Sequence, residues 1–211
     1  MKSKSMQYLF IFFLAGLISS CASYEVSPSG RPIRTENEYF KVVDEYSDQS
    51  SRFSGLYNLL DIQGTLLNSK VMDAQEDQLN RIYLWDEKKV IEEKSKNDLR
   101  LSKESEIFLA FYSPERKSDD LNRPNSQWRV FLDVGNKRYE GKISKVKATT
   151  SELSSIYPMY NRFYTPYNVI FSIPMKSIES QPTKMTLTGS VGSATLSFKP
   201  LLFEPKTILV K

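Results

Sequence analysis

Apolar and polar residues alternate at a period of two along much of this chain, the spacing of a strand with one buried face. Leu56, Leu60, Ile62, Gly64 and Leu66 share one parity, broken only by Asn58, while Tyr57, Asp61, Gln63 and Thr65 take the other. Gly64 weakens a strand interior and marks a bulge or a close approach. Tyr167, Val169, Phe171 and Ile173 alternate with Asn168, Ile170 and Ser172. Residues 107–112 are apolar throughout, which suits a strand covered on both faces.

Two turn signals join such runs into hairpins. Gly135-Asn136, with Gly first, suits a two-residue type II′ turn. It pairs Val134 with Lys137, Leu132 with Tyr139, Val130 with Gly141 and Trp128 with Ile143. Asp133 then faces Arg138, an opposite-charge pair that favours this register. A turn at Gly192-Ser193 pairs Val191 with Ala194, Gly189 with Leu196 and Leu187 with Phe198, leaving Thr186, Thr188, Thr195 and Ser197 outward.

One stretch departs from this period. After a cap at Asn68 or Ser69, residues 70–94 hold neither Gly nor Pro, and Val71, Leu79, Ile82 and Val90 form a stripe interrupted by Gln75 and Asp86. The spacing predicts one long helix that lays its apolar side on the sheet, with a binding face at Trp85 beside Leu84 as the competing reading. Asp77 and Arg81 are placed for an ion pair along it. Residues 39–46 fit a strand or a short helix, and 113–127 read as a solvated loop between prolines. The sum is a mainly β (α+β) domain, an antiparallel β-sandwich of immunoglobulin- or transthyretin-like build with one added helix.

The start of the chain has a different character. Lys2 and Lys4 precede a short apolar run, 8–18, with the charge and length of a secretory signal peptide. A membrane-spanning helix needs roughly 20 apolar residues. The run ends at Ile18-Ser19-Ser20-Cys21, and Cys21 is the sole cysteine. This resembles the lipobox of bacterial lipoproteins. The resemblance implies cleavage between Ser20 and Cys21, a diacylglycerol on the Cys21 thiol, and, with Ala22 rather than Asp next, the periplasmic face of the outer membrane. Residues 1–20 are then a signal peptide, 21–38 a lipidated cysteine with a flexible tether, and 39–211 a single domain. A flexible tether of that length spans on the order of 23 Å.

Cleavage changes the charge reading. It removes two lysines and no acid, leaving 27 basic against 25 acidic residues. That near balance offers no footprint for nucleic acid. Histidine is absent from the sequence, which removes the usual general base, the Ser-His nucleophile and the commonest metal ligand. Ser144-x-x-Lys147 matches a penicillin-binding motif in letters, but on a strand a separation of three puts the two side chains on opposite faces. Adjacent Asp119 and Asp120 lack the spaced oxygen set of a calcium loop. No metal, cofactor or catalytic group is expected.

The aromatic stretch 156–171 remains. Tyr157, Tyr160, Arg162, Phe163, Tyr164 and Tyr167 are the candidate binding residues, because Tyr and Arg dominate interface hot spots and exposed rings stack on sugars. Core packing around a rigid turn is the competing use of the same rings. The expected function is a non-catalytic, membrane-anchored lipoprotein that docks a periplasmic or envelope protein, with a cell-wall glycan or small ligand as the alternative. The outer-membrane lipoprotein of the type VI secretion apparatus is similar in architecture, a lipid-anchored sandwich with a helix, and shares no motif.

Overall fold

A computed structural model describes residues 25–28 and 30–202. Eleven strands and four α-helices are formed among these residues. The strands are β1 (Glu25–Val26), β2 (Pro32–Ile33), β3 (Ser47–Ser54), β4 (Tyr57–Leu66), β5 (Ser105–Tyr112), β6 (Arg129–Val134), β7 (Lys137–Glu140), β8 (Lys142–Lys145), β9 (Thr165–Phe171), β10 (Thr183–Gly189) and β11 (Gly192–Phe198). The helices are α1 (Glu36–Glu45), α2 (Ser69–Tyr83), α3 (Glu87–Lys103) and α4 (Thr150–Ile156). Two antiparallel sheets carry the fold, one of order β11-β10-β6-β7 and one of order β3-β4-β5-β9-β8.

The strand β5 explains the arrangement. Its Ile107, Leu109 and Phe111 join Leu60, Ile62, Trp128, Leu132, Val169 and Leu196 in one core shared by the two sheets. Its Phe108 and Ala110 point the other way, into a second core with Tyr39, Val43, Val71, Met72, Leu153, Tyr157 and Tyr160. The apolar run 107–112 of this strand is thus covered on both faces, by the four-stranded sheet on one side and the helices on the other. The second layer also buries Thr65, whose hydroxyl lies 2.7 Å from that of Ser47.

The first hairpin has the expected register from Phe131 opposite Glu140 to Val134 opposite Lys137, with Arg138 bidentate on Asp133 at 2.7 and 2.9 Å. Gly135 has φ +55 and Asn136 stays out of the positive region, as a II′ turn requires. Beyond Gly141, however, the chain leaves this sheet. Ile143 pairs with Val169 in the five-stranded sheet instead of facing Trp128. A Cβ on Gly141 would stand 2.7 Å from Phe171, 2.8 Å from Val169 and 2.9 Å from Val130, so the crossing passes where only a bare backbone fits. The second hairpin is displaced as well. Gly189 pairs with Gly192, so Ser190-Val191 forms the turn and Leu196 faces Met185 rather than Gly189. The slip is four residues, an even number, so the inward and outward sets keep their faces.

Four further expectations are corrected. The single helix over 70–94 is two helices: Leu84 turns left-handed (φ 50, ψ 49), and Asp86 caps α3 by accepting from the Lys89 amide at 2.7 Å. The polar interruption of the stripe at Asp86 is that cap. The tether gives way, from Glu25 onward, to packed structure: β1 pairs with β2, Ile33 is buried, and a Thr35–Glu38 capping box starts α1. Asp77 and Arg81 do not pair along α2. Asp77 holds Arg31 at 2.8 Å and Arg34 at 2.6 Å, while Arg81 takes the Glu25 carboxylate. Finally, the 113–127 loop is anchored through buried Leu121 and through Ser118, whose carbonyl accepts from the Trp128 indole at 2.7 Å.

Candidate functional site

The aromatic stretch divides by burial. Tyr157 stacks on Phe108, ring centres 3.6 Å apart, and Tyr160 meets the same ring edge-on. Tyr167 is fully buried, its hydroxyl donating to Asp119 at 2.9 Å. Burial raises the hydroxyl pKa of all three. These rings belong to the core, which a strand with two apolar faces requires. Asp119, read as a solvated loop acid, is a structural acceptor that also holds the Thr165 hydroxyl.

Phe163 is the exposed ring of the stretch, 67% accessible, with the Arg162 guanidinium 5.1 Å above it. Tyr164 is half-buried. Its hydroxyl donates to Asp61 and accepts from the Gln63 amide, each at 3.0 Å. Burial, reinforced by the Asp61 charge, pushes that hydroxyl up to about 12, so it remains a donor at neutral pH. Arg162, Phe163 and Tyr164 border a polar recess of about 520 Å³ with Tyr112 and Asp119.

Sheet register places a second element at this end. Asp61 is opposite Tyr112, the last residue of β5, and Phe111 is opposite Thr165, the first of β9. The β3–β4 hairpin runs on past that point to its turn. Four residues separate Asp61 from Tyr57, so the tip stands about 13 Å beyond the last β5 pair. Gly55, at φ +58, makes the turn, and the adjacent Leu56 is 99% exposed. Phe53 and Tyr57 flank it, both exposed. Leu56 was expected to face a core; it is instead the apex of a ribbon with no sheet beyond it. The Gly55-Leu56 pair, bracketed by aromatics, was the available signal for this feature.

Ser144 is exposed on β8 with its hydroxyl 3.5 Å from the Asn168 carbonyl, and Lys147 lies beyond that strand. Among the described residues no group of three or more acidic or cysteine side chains is placed to hold a metal, and no helix is long and apolar enough to cross a membrane. Ser20 and Cys21 lie outside the described residues. Compared with known family models, curated proteins and solved structures, the chain matches none.

Proposed function

We propose that this protein is a bacterial envelope lipoprotein, held through Cys21 at the periplasmic face of the outer membrane, whose domain docks a protein partner and performs no chemistry. On this reading the two sheets form a β-sandwich of immunoglobulin- or transthyretin-like build. The observation that carries the docking reading is the hairpin apex, where fully exposed Leu56 stands between exposed Phe53 and Tyr57. Large apolar side chains cost solubility unless something covers them, and aromatic anchors entering a pocket dominate interface energetics. The shape is convex, so the partner offers a concave apolar cleft. Phe163 and Arg162 supply the rim.

The test is a mild-detergent pull-down of the full lipidated protein from its own cells, beside a Phe53→Ser/Leu56→Ser/Tyr57→Ser variant. The expected result is an envelope protein that co-purifies with the native chain and is lost with the variant, whose thermal melt is unchanged. A partner retained by the variant overturns the assignment of the apex. The glycan alternative predicts sedimentation with purified cell wall that Phe163→Ala abolishes.

A further inference from the structure

The far end of the α2–α3 helical hairpin carries a second apolar surface. Ile82, Tyr83 and Leu84 are exposed there, and Trp85 stacks against Tyr83 with ring centres 6.4 Å apart and planes 13° from parallel. Arg81, one residue before them, binds the Glu25 carboxylate, the Arg34 carbonyl and the Gln78 amide oxygen. That ties the first described strand, with exposed Val26, beside the elbow. Arg31 and Arg34 fix the same segment to Asp77 and Asp73.

This geometry limits where the elbow can be. Cys21 precedes Glu25 by four residues, at most about 14 Å of fully extended chain. An acylated Cys21 sits at the lipid surface, so the elbow is held within reach of that surface. We infer that the elbow Ile82–Trp85, with Val26, rests in the interfacial layer of the membrane and sets the orientation of the domain on it. The inference depends on the lipid anchor proposed above. The chemistry suits the place: Trp and Tyr favour the headgroup level, and apolar side chains of an interfacial element enter about 5–10 Å. The charges around the elbow balance, Arg81 being paired with Glu25, and Asp86 and Glu87 being followed directly by Lys88 and Lys89. Anionic lipid is therefore not required. An acyl anchor gives affinity, and the elbow turns a swivelling attachment into an oriented one.

The chain's two tryptophans make the test direct, because Trp128 is 1% exposed in the core and Trp85 is at the elbow. The full protein is purified from its own cells, its N-terminal peptide is weighed by mass spectrometry, and it is reconstituted in phosphatidylcholine vesicles with brominated acyl chains. The expected result is an acylated Cys21 with quenching of the Trp85 emission, stronger for bromines near the headgroup than near the chain ends. In Trp85→Phe the remaining Trp128 emission is unquenched. Acylated Cys21 with unquenched Trp85 overturns the inference and leaves the anchor intact. Unmodified Cys21 overturns both. In a Leu84→Cys variant with acylated Cys21, the new thiol is the sole free one; disulfide-linked dimers on the vesicles would show that a second copy covers the elbow, against the membrane assignment.

Discussion

Replacing Leu84 with glycine should stabilise the fold relative to replacing it with alanine, the reverse of the order at an ordinary helix position. Leu84 sits at φ 50 and ψ 49, the left-handed conformation at the end of α2. For a residue with a Cβ this costs about 1–2 kcal/mol. Glycine escapes that cost but gives up about 0.5–1 kcal/mol of backbone entropy on folding. Both substitutions forfeit the same side-chain contacts, which are few because Leu84 is 68% exposed. The difference between them is therefore about 0.5–1 kcal/mol in favour of Leu84→Gly. With a urea slope of about 2 kcal/mol/M, its midpoint should lie about 0.3–0.5 M above that of Leu84→Ala. Equilibrium urea melts of the chain from Ala22, read by far-UV circular dichroism, measure this; that chain keeps each described residue. An unchanged slope is required for the comparison to report stability alone. Equal midpoints, or a higher one for alanine, would refute the reasoning, because they would mean that the elbow does not hold residue 84 left-handed in solution.

Asp77→Ala should destabilise by about 2 kcal/mol, less than a fully buried pair because Arg31 and Arg34 keep partial access to water; a thermal melt measures it, and limited trypsin digestion should cut faster after Arg34, Arg31 being protected by the proline that follows it. Gly141→Ala should cost about 1–3 kcal/mol through overpacking against Phe171, Val169 and Val130, and a melt within error of the native chain would count against the crossing geometry. Burial raises the Glu76 carboxyl above its ordinary 4.5, with Asn97 donating to one oxygen and no partner on the other. The folded state then holds this proton where the unfolded chain has lost it, so the Glu76 contribution to stability falls as pH rises from 4.5 through the raised folded value. Comparing urea melts of native and Glu76→Gln protein across that window should show the variant gaining relative stability with rising pH; a constant difference would contradict the assignment.

Where the local period and the turn chemistry agreed, the fold was legible. The 129–140 hairpin follows from alternation, a Gly-Asn turn and the Asp133–Arg138 pair, all within twelve residues. The crossing at Gly141 was not, since its cause is close packing against Val169 and Phe171, which are distant in the chain. The α2–α3 break and the helix α4 had written signals in Asp86 and in Thr149-x-x-Glu152, a capping box. In both places neighbouring features outweighed the cap: an apolar stripe at helical spacing, and a run of aromatics. The fate of those aromatics was itself foreshadowed by residues 107–112. Phe108 and Ala110 need cover on the face turned away from the other sheet, and Tyr157 and Tyr160 provide it. The rings left outside are those with no such obligation, Phe163, Tyr83 at the elbow and the apex group of Phe53 and Tyr57.

Stability does not account for the α2–α3 elbow. A left-handed residue at the end of a helix favours glycine, and an exposed turn between charged segments favours polar side chains. The chain instead places Leu84 in the strained position and surrounds it with Ile82, Tyr83 and Trp85, none of them in the two cores. The first described residue of the chain, Glu25, is tied to the helix turn just before them. A fold under pressure for stability alone would lose these side chains at no cost to its core. Their presence beside the route to Cys21 makes sense if the elbow meets lipid, where the apolar surface is solvated rather than exposed. The hairpin apex bears the same excess of apolar surface in a different part of the fold, at the end of the five-stranded sheet. A lipoprotein that docks a partner requires one surface for each, and variants at residues 53–57 should therefore leave Trp85 quenching intact while those at 82–84 leave the partner bound in detergent.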